Sequence, residues 1–337
     1  MTLTSSGSSQ KTMELICPAG TPAALRTAVE AGADAVYCGF RNETNARNFP
    51  GLNFDEAELR EGVAYAHARG VKVLVALNTF ARAGCTKIWQ SAVEQAVAAK
   101  ADALILADLG LIDWARKAFP DQRLHLSVQA AAATVPAIRF YVETFGIRRV
   151  VLPRVLTVDE ISAIASAAAC EIEVFAFGGL CVMAEGRCLL SSYATGESPN
   201  MNGVCSPASH VTYAQEGNDL VARLGGFTID RYPTGKPVGY PTLCKGRFSC
   251  NAKVMHVFEE PTSLNTIGIL PALQKAGVAA LKIEGRQRGK AYLAATVRAF
   301  REALDALGAE RQLPLPELSG LTEGSRQTVG SYRKTWR

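Results

Sequence analysis

The chain has 337 residues, 48% of them hydrophobic and 20% charged, with a formal net charge of +5. This balance predicts a well-packed soluble core, in one large domain or two ordinary ones, and charge so mild and dispersed gives no ground for a nucleic-acid-binding face. No apolar run approaches the roughly 20 residues of a membrane span, and the polar, serine-rich residues 1–12 lack the apolar core of a secretory signal.

Residues 1–12 read as a disordered tail. Nine cysteines without an export signal indicate a reducing cytoplasm, where thiols serve metals or packing rather than disulfides. From residue 13 onward, short apolar runs alternate with helical patterns. Strands are expected at 14–17, 35–38, 72–77, 103–107, 124–128, 149–152 and 171–177, with an eighth at 280–284. Helices are expected over 22–31, 55–69, 88–99, 264–276 and 291–307, among others. Unbroken apolar strands separated by helices signify a parallel sheet covered on both faces, and eight such units point to a closed (β/α)8 TIM-barrel-like fold. No Gly-x-Gly-x-x-Gly opens a helix after a strand, which weakens a dinucleotide-binding reading.

The alternation breaks between strands seven and eight. Residues 178–262 are rich in Gly, Pro, Asn and Ser, with strand-like pieces only at 210–214 and 219–224. An insertion of this length leaves the end of the barrel where active sites are built. The domain reading is therefore a tail, a barrel over 13–310 that includes this insertion, and a C-terminal arm over 311–337, loosely packed or a docking strap.

Cys181, Cys188, Cys205 and Cys244 all lie in the insertion, 7, 17 and 39 positions apart. These spacings match neither paired zinc knuckles nor ferredoxin motifs. Nearby Gly186, Gly203, Pro207 and Pro241 permit tight turns, so one soft metal centre and four ordinary buried thiols both remain open from the residues alone. Cys17, Cys38 and Cys170 sit in or beside apolar strands, where packing explains them. Cys85 and Cys250 have no partner in the pattern.

The run Glu173-Val-Phe-Ala-Phe-Gly-Gly-Leu-Cys181, followed by Gly186-Arg-Cys188, resembles the motif of the collagenase-like peptidase family, with Gly179 where Ser or Ala is expected. Further stretches resemble that family's ubiquinone-biosynthesis branch. They include Met13-Glu-Leu-Ile-Cys-Pro-Ala-Gly20, Thr44-Asn-Ala-Arg47, Val150-Val-Leu-Pro-Arg-Val-Leu156, Thr195-Gly-Glu-Ser-Pro-Asn200, Tyr240-Pro-Thr-Leu-Cys-Lys-Gly-Arg247 and Lys282-Ile-Glu-Gly-Arg-Gln-Arg288. The resemblance implies a [4Fe–4S] cluster on the four cysteines and a homologous UbiV-like partner in a heterodimer. It also implies oxygen-independent hydroxylation of a prenylated phenol, with a carboxylate such as prephenate as oxygen donor. The peptidase label fits poorly: no Ser/His/Asp set and no His-Glu-x-x-His is recognisable, and the chain has four histidines.

Strand ends carry polar residues toward the same mouth: Asn78, Asp108, Gln129 and Arg154, then Lys282, Glu284 and Arg286. The period of two sets Lys282 and Glu284 on one face, with Leu281 and Ile283 toward the helices. Arg154 and Arg286 are expected to grip a carboxylate, since Arg forks match carboxylates; a structural ion-pair network is the other reading. The loop at Thr44, Asn45 and Arg47 lines the mouth or caps a turn. Tyr193 and Tyr240 either shield the metal centre or simply pack. Two further functions stay in view: hydroxylation of an RNA base, and a non-catalytic iron–sulfur docking partner.

Overall fold

The structure is a computed structural model that describes residues 12–333 except 202 and 237. The tail lies outside the described residues but for Thr12, as do the last four residues of the arm. Eight parallel strands close into a barrel. They are β1 (Glu14–Pro18), β2 (Ala35–Cys38), β3 (Lys72–Leu77), β4 (Ala103–Leu106), β5 (Leu124–Leu126), β6 (Arg149–Val151) and β7 (Glu171–Gly179), with a last strand at Ala280–Ile283. That last strand pairs with both β1 and β7, Ala280 lying opposite Glu14 on one side and Glu173 on the other. The chain is thus an α/β protein of the TIM-barrel type.

Helices cover the outside: α1 (Pro22–Glu30), α2 (Glu56–His67), α3 (Thr86–Ala98), α4 (Leu109–Ala118), α5 (Val135–Phe145) and α6 (Val158–Ala167). Their starts follow from local chemistry. Thr21 caps α1 ahead of Pro22, and Asp55 with Glu58 and Thr157 with Glu160 form reciprocal capping boxes on α2 and α6. Alternate strand residues divide the core in two. Leu15, Val36, Val73 and Leu104 pack outward on the helices; Ile16, Tyr37, Leu74, Ala76 and Ile105 fill the barrel. Cys17 and Cys38 belong to the outer core and Cys170 packs against it, as packing thiols should.

Strands β5 to β7 turn charges inward instead. Arg149, buried, donates to Glu14, Glu171 and Glu173, and Lys282 donates to Glu173 at 2.7 Å. Each buried charge is partnered, which is what makes such a layer tolerable.

After β7 the insertion holds α7 (Leu190–Thr195), a three-stranded antiparallel sheet of β8 (Val211–Glu216), β9 (Asp219–Leu224) and β10 (Phe227–Pro233), and a hairpin of β11 (Arg247–Cys250) and β12 (Lys253–His256). Sequence reading anticipates β8 and β9 and misses α7, β10, β11 and β12. It also errs at residue 264: Leu264 lies in β13 (Ser263–Asn265), antiparallel to the upper end of β7, and helix α8 spans only Leu270–Lys275. Pro271 favours a helix start there rather than six residues earlier. The barrel's closing strand is then β14 (Ala280–Ile283), followed by α9 (Lys290–Gly308).

Part of the C-terminal arm packs back on this assembly. Its β15 (Gln327–Thr328) extends β13 in parallel, Tyr332 Oη donates to Phe175 O at 2.6 Å, and Ser331 Oγ donates to Arg154 O. No helix of the described residues is long and apolar enough to cross a membrane.

Candidate active site

At the carboxyl ends of the strands lies a cavity of about 190 Å3. Tyr37, Ala76, Ile105, Val151 and Phe175 give it apolar lining. Arg47, Arg154, Lys282, Arg286 and Arg288 face it against only three carboxylates, Glu185, Glu284 and Glu323. A small cavity with an excess of cations suits a small anionic ligand.

Arg154 follows β6 and is fully engaged by the protein. Its Nε meets Glu185 Oε1 at 2.6 Å, its Nη1 meets Glu284 Oε2 at 2.6 Å and Gly179 O at 2.5 Å, and its guanidinium lies 4.1 Å from the Phe175 ring centroid. Burial raises the pKa of Glu284, but Arg154 and Arg47 outweigh it and bring it down to about 2. Arg154 is therefore a strut within the wall of the cavity, and the expected two-arginine grip on a carboxylate is not laid out in these side chains.

Arg286 differs. It is buried, its Nη1 donates to Asn45 Oδ1 at 2.7 Å, and among the described residues no carboxylate pairs with it. Burial lowers its pKa to about 10. An uncompensated buried guanidinium facing a cavity is a vacancy for an anion. Asn45 is held by its own contacts: Nδ2 donates to Phe40 O, and Oδ1 also accepts from Arg47 N. Asn78 Oδ1 accepts from Ala46 N, so Asn78 fixes the same loop. The Thr44–Arg47 stretch thus lines the mouth, with Arg47 3.5 Å from Glu284.

Gln129 sits in the 3-10 turn after β5, mostly buried and bordering the cavity, and its Oε1 has no hydrogen-bond partner. That orphaned acceptor asks for a donor from a ligand. Gly186 presses on this turn with φ +83°, where a Cβ would stand 2.2 Å from Gln129 O. Asp108 is elsewhere in role: it caps α4 through Leu111 N at 2.8 Å and accepts from Ala81 N, and it does not line the cavity.

The four insertion cysteines come together beside this cavity. Cys181 follows β7, Cys188 precedes α7, Cys205 is tied to α7 by Ser191 Oγ donating to Cys205 O, and Cys244 lies in the turn Leu243–Lys245. Asn200 Nδ2 donates to Cys188 O at 2.9 Å and Glu259 N to Cys244 O at 3.3 Å. Burial raises the thiol pKa of Cys181 and Cys244, that of Cys244 to about 12, while Cys205 is exposed. The thiols then act on one another: Cys205 on Cys181, Cys188 on Cys205, and both Cys205 and Cys188 on Cys244. Among the described residues no three His, Cys, Asp or Glu side chains are arranged to hold one metal ion, so the thiols share a locality, not a finished coordination sphere.

Arg154 and Glu185 act on Cys181, and Arg47 and Lys245 on Cys205. Lys245, buried, pairs with Glu323 of the C-terminal arm. Glu185 and Glu323 escape sequence reading because only the fold brings them to Arg154 and Lys245. Tyr193 is 86% exposed and Tyr240 56%, so neither packs or shields; Tyr240 Oη donates to Ser206 O.

The sequence profile described as Peptidase family U32 matches residues 20–327. The tRNA hydroxylation protein P of Escherichia coli (strain K12) is 34% identical, over 95% of this chain and 76% of that protein. The 23S rRNA 5-hydroxycytidine C2501 synthase of the same organism is 32% identical, over 92% of this chain and 42% of that protein. A protein named Collagenase from Porphyromonas gingivalis (strain ATCC BAA-308 / W83) is 28% identical, over 87% of this chain and 66% of that protein. Among solved structures, the U32 peptidase Mk0906 superposes with a TM-score of 0.50 at 13% identity, covering 86% of this chain and 98% of that one, which speaks for the fold alone.

Proposed function

Since the chain belongs to peptidase family U32, we propose that it is the iron–sulfur component of an oxygen-independent hydroxylase that adds oxygen to an aromatic ring. The observation that carries this reading is an adjacency. The thiols of Cys181 and Cys205 lie within electrostatic reach of Arg154 and Arg47, which line a small cavity with an excess of cations, and Cys188 and Cys244 lie within reach of Cys205. Cys181, Cys188, Cys205 and Cys244 would hold a [4Fe–4S] cluster, which when bound supplies one-electron chemistry.

The chain's own residues do the rest. Arg286 takes the carboxylate of a small oxygen donor, prephenate in the family resemblance. Gln129 Oε1 accepts a hydrogen bond from it, and Tyr37 and Phe175 bound the dry side of the cavity. Arg154 and Glu284 keep the wall in place. No peptidase role is proposed: among the described residues the cavity lining holds no cysteine or histidine, and the oxygen of its serine, Ser127, accepts from Gln129 N.

Two rings are in question. An RNA base is the reading that the names of the relatives support better, and hydroxylation of tRNA and rRNA already both occur among them. The ring of a prenylated ubiquinone precursor rests on the stretches that resemble UbiU. Several of these form the site itself: Asn45 and Arg47, Cys244 and Lys245, Glu284 and Arg286. On this second reading the chain works beside a UbiV-like partner, and exposed Val254, Met255, Val257 and Phe258 of the insertion offer apolar surface for it.

The test is a deletion strain grown without oxygen and complemented with wild type or Cys181→Ala. Quinones and digested tRNA and rRNA are profiled by mass spectrometry. Loss of a hydroxylated nucleoside supports the RNA reading, and loss of ubiquinone supports the other. No change in either, with iron absent from anaerobically purified protein, overturns the proposal.

A further inference from the structure

Among the described residues Lys282 is the one cavity-lining amine, and its surroundings are unusual for a residue that merely completes an ion pair. It projects from β14 into the barrel among Tyr37, Ala76 and Ile105, is buried, and opens on the cavity. Its Nζ lies 3.9 Å from the Tyr37 ring centroid and 2.7 Å from Glu173 Oε1. Glu173 is fully buried, and its other oxygen accepts from Arg149 Nη1 at 3.3 Å. Glu173 therefore keeps a cationic partner if Lys282 loses its proton. Lys282 has fewer alternatives: Arg286 and Arg149 are both cationic neighbours, and burial itself disfavours the ammonium, lowering its pKa despite Glu173. The arrangement sets an amine and a guanidinium without an ion-pair partner on one cavity, with a carboxylate behind the amine to receive its proton.

We propose that Lys282 forms an imine with the carbonyl carbon of a small 2-oxo acid whose carboxylate is taken by Arg286. Lys282 Nζ passes one proton to Glu173. The freed lone pair attacks the carbonyl carbon, whose π electrons move to oxygen, and that oxygen takes a proton from the attacking nitrogen. Glu173 returns its proton to the departing hydroxyl as the nitrogen lone pair closes the C=N bond and the C–O bond breaks, so ammonium plus ketone become protonated imine plus water. Nothing is oxidised or reduced. The ring of Tyr37 keeps bulk water from the imine; its hydroxyl is committed to Ile283 O at 2.9 Å and takes no part. The inference deepens the proposed function by naming the chemistry through which the donor is held, and rests on that reading of the cavity.

The experiment incubates the full-length, anaerobically purified protein with pyruvate and sodium cyanoborohydride, then maps the reduced adduct by peptide mass spectrometry. The expected result is one adduct per chain, on Lys282, absent after denaturation. Its yield should fall roughly tenfold or more in Arg286→Met, the loss of one charge-assisted anchor. The wild-type map needs no variant to fold; Lys282→Met and Lys282→Arg should both lose the adduct. Labelling confined to exposed lysines such as Lys87 and Lys253, with Lys282 unmodified, overturns the proposal, because a lysine serving only Glu173 keeps its proton. An adduct without ring hydroxylation would indict the function and spare the imine; hydroxylation without an adduct would do the reverse.

Discussion

Arg154 Nη1 and Glu284 Oε2 meet at 2.6 Å across the barrel mouth, one from the loop after β6 and the other from the end of β14. Both residues line the cavity, and Arg154 acts on Cys181. Glu185 meets Arg154 from within the insertion, so three segments far apart in sequence are joined by one guanidinium. Arg154→Met would leave two carboxylates short of a partner. A loss of about 3–5 kcal/mol is expected, read as a lowered urea midpoint with unchanged slope.

Arg286→Met should behave in the opposite way. It removes a buried charge that, among the described residues, makes no ion pair with a carboxylate, so stability is expected to hold or rise. Affinity for a small carboxylate should fall about 10- to 100-fold, the loss of one charge-assisted contact. Calorimetric titration with prephenate or pyruvate beside a urea melt checks both halves; a destabilised variant with intact binding would refute the assignment.

Glu284 sets an acid limit. Its carboxyl is held at about 2 when folded, against about 4.3 when unfolded. A lowered folded pKa stabilises fully above the unfolded value, and that contribution is lost as pH falls from about 4.3 through 2. Linkage puts it at no more than about 3 kcal/mol. Urea midpoints taken from pH 7 down to pH 3 should drop, and Glu284→Gln should flatten that dependence. An unaltered slope in the variant would reassign the acid sensitivity to other carboxylates.

Cys181→Ser and Cys250→Ser separate the thiols. Cys181 is electrically coupled to Cys205 beside the cavity, whereas Cys250 is exposed at the end of β11. Iron and sulfide measured after anaerobic purification should fall sharply in the first and stay at the wild-type level in the second. Equal iron in both would remove Cys181 from the ligand set.

Gly203 fastens the insertion to the barrel. Its φ is +63°, and a Cβ there would stand 1.1 Å from Ala46 O. Gly203→Ala should cost at least about 2 kcal/mol and expose the loop around it. Faster proteolysis near residue 203, with the far-ultraviolet spectrum of the barrel retained, is the expected signature; wild-type resistance would mean the contact is dispensable.

The barrel was legible because most of its strands are short apolar runs that alternate with helical patterns. Tyr37 and Lys282 follow from the period of two, as does the division between inner and outer faces. The sheet of β8 to β10 and the β11–β12 hairpin were harder: Tyr213, Phe227, Val254 and Met255 are exposed, so burial imposes no pattern on them. Arg154 could be placed at the mouth from its strand, but not its saturation. Glu185 lies 31 residues away and Glu284 130, and no local period reports such pairings. Resemblance, rather than spacing, singled out the four cysteines, since their separations follow no ligand motif.

The barrel's first strand, already paired with β2, waits for its second neighbour until residues 280–283 exist, because among the described residues only β14 joins β1 to β7. Glu323 reaches Lys245 later still. A chain emerging from the ribosome therefore carries Cys181, Cys188, Cys205 and Cys244 in the open before either fastening is made, exposed meanwhile to oxidants and stray metals. Whatever centre these thiols take must be supplied to a finished chain, or guarded by another protein until then.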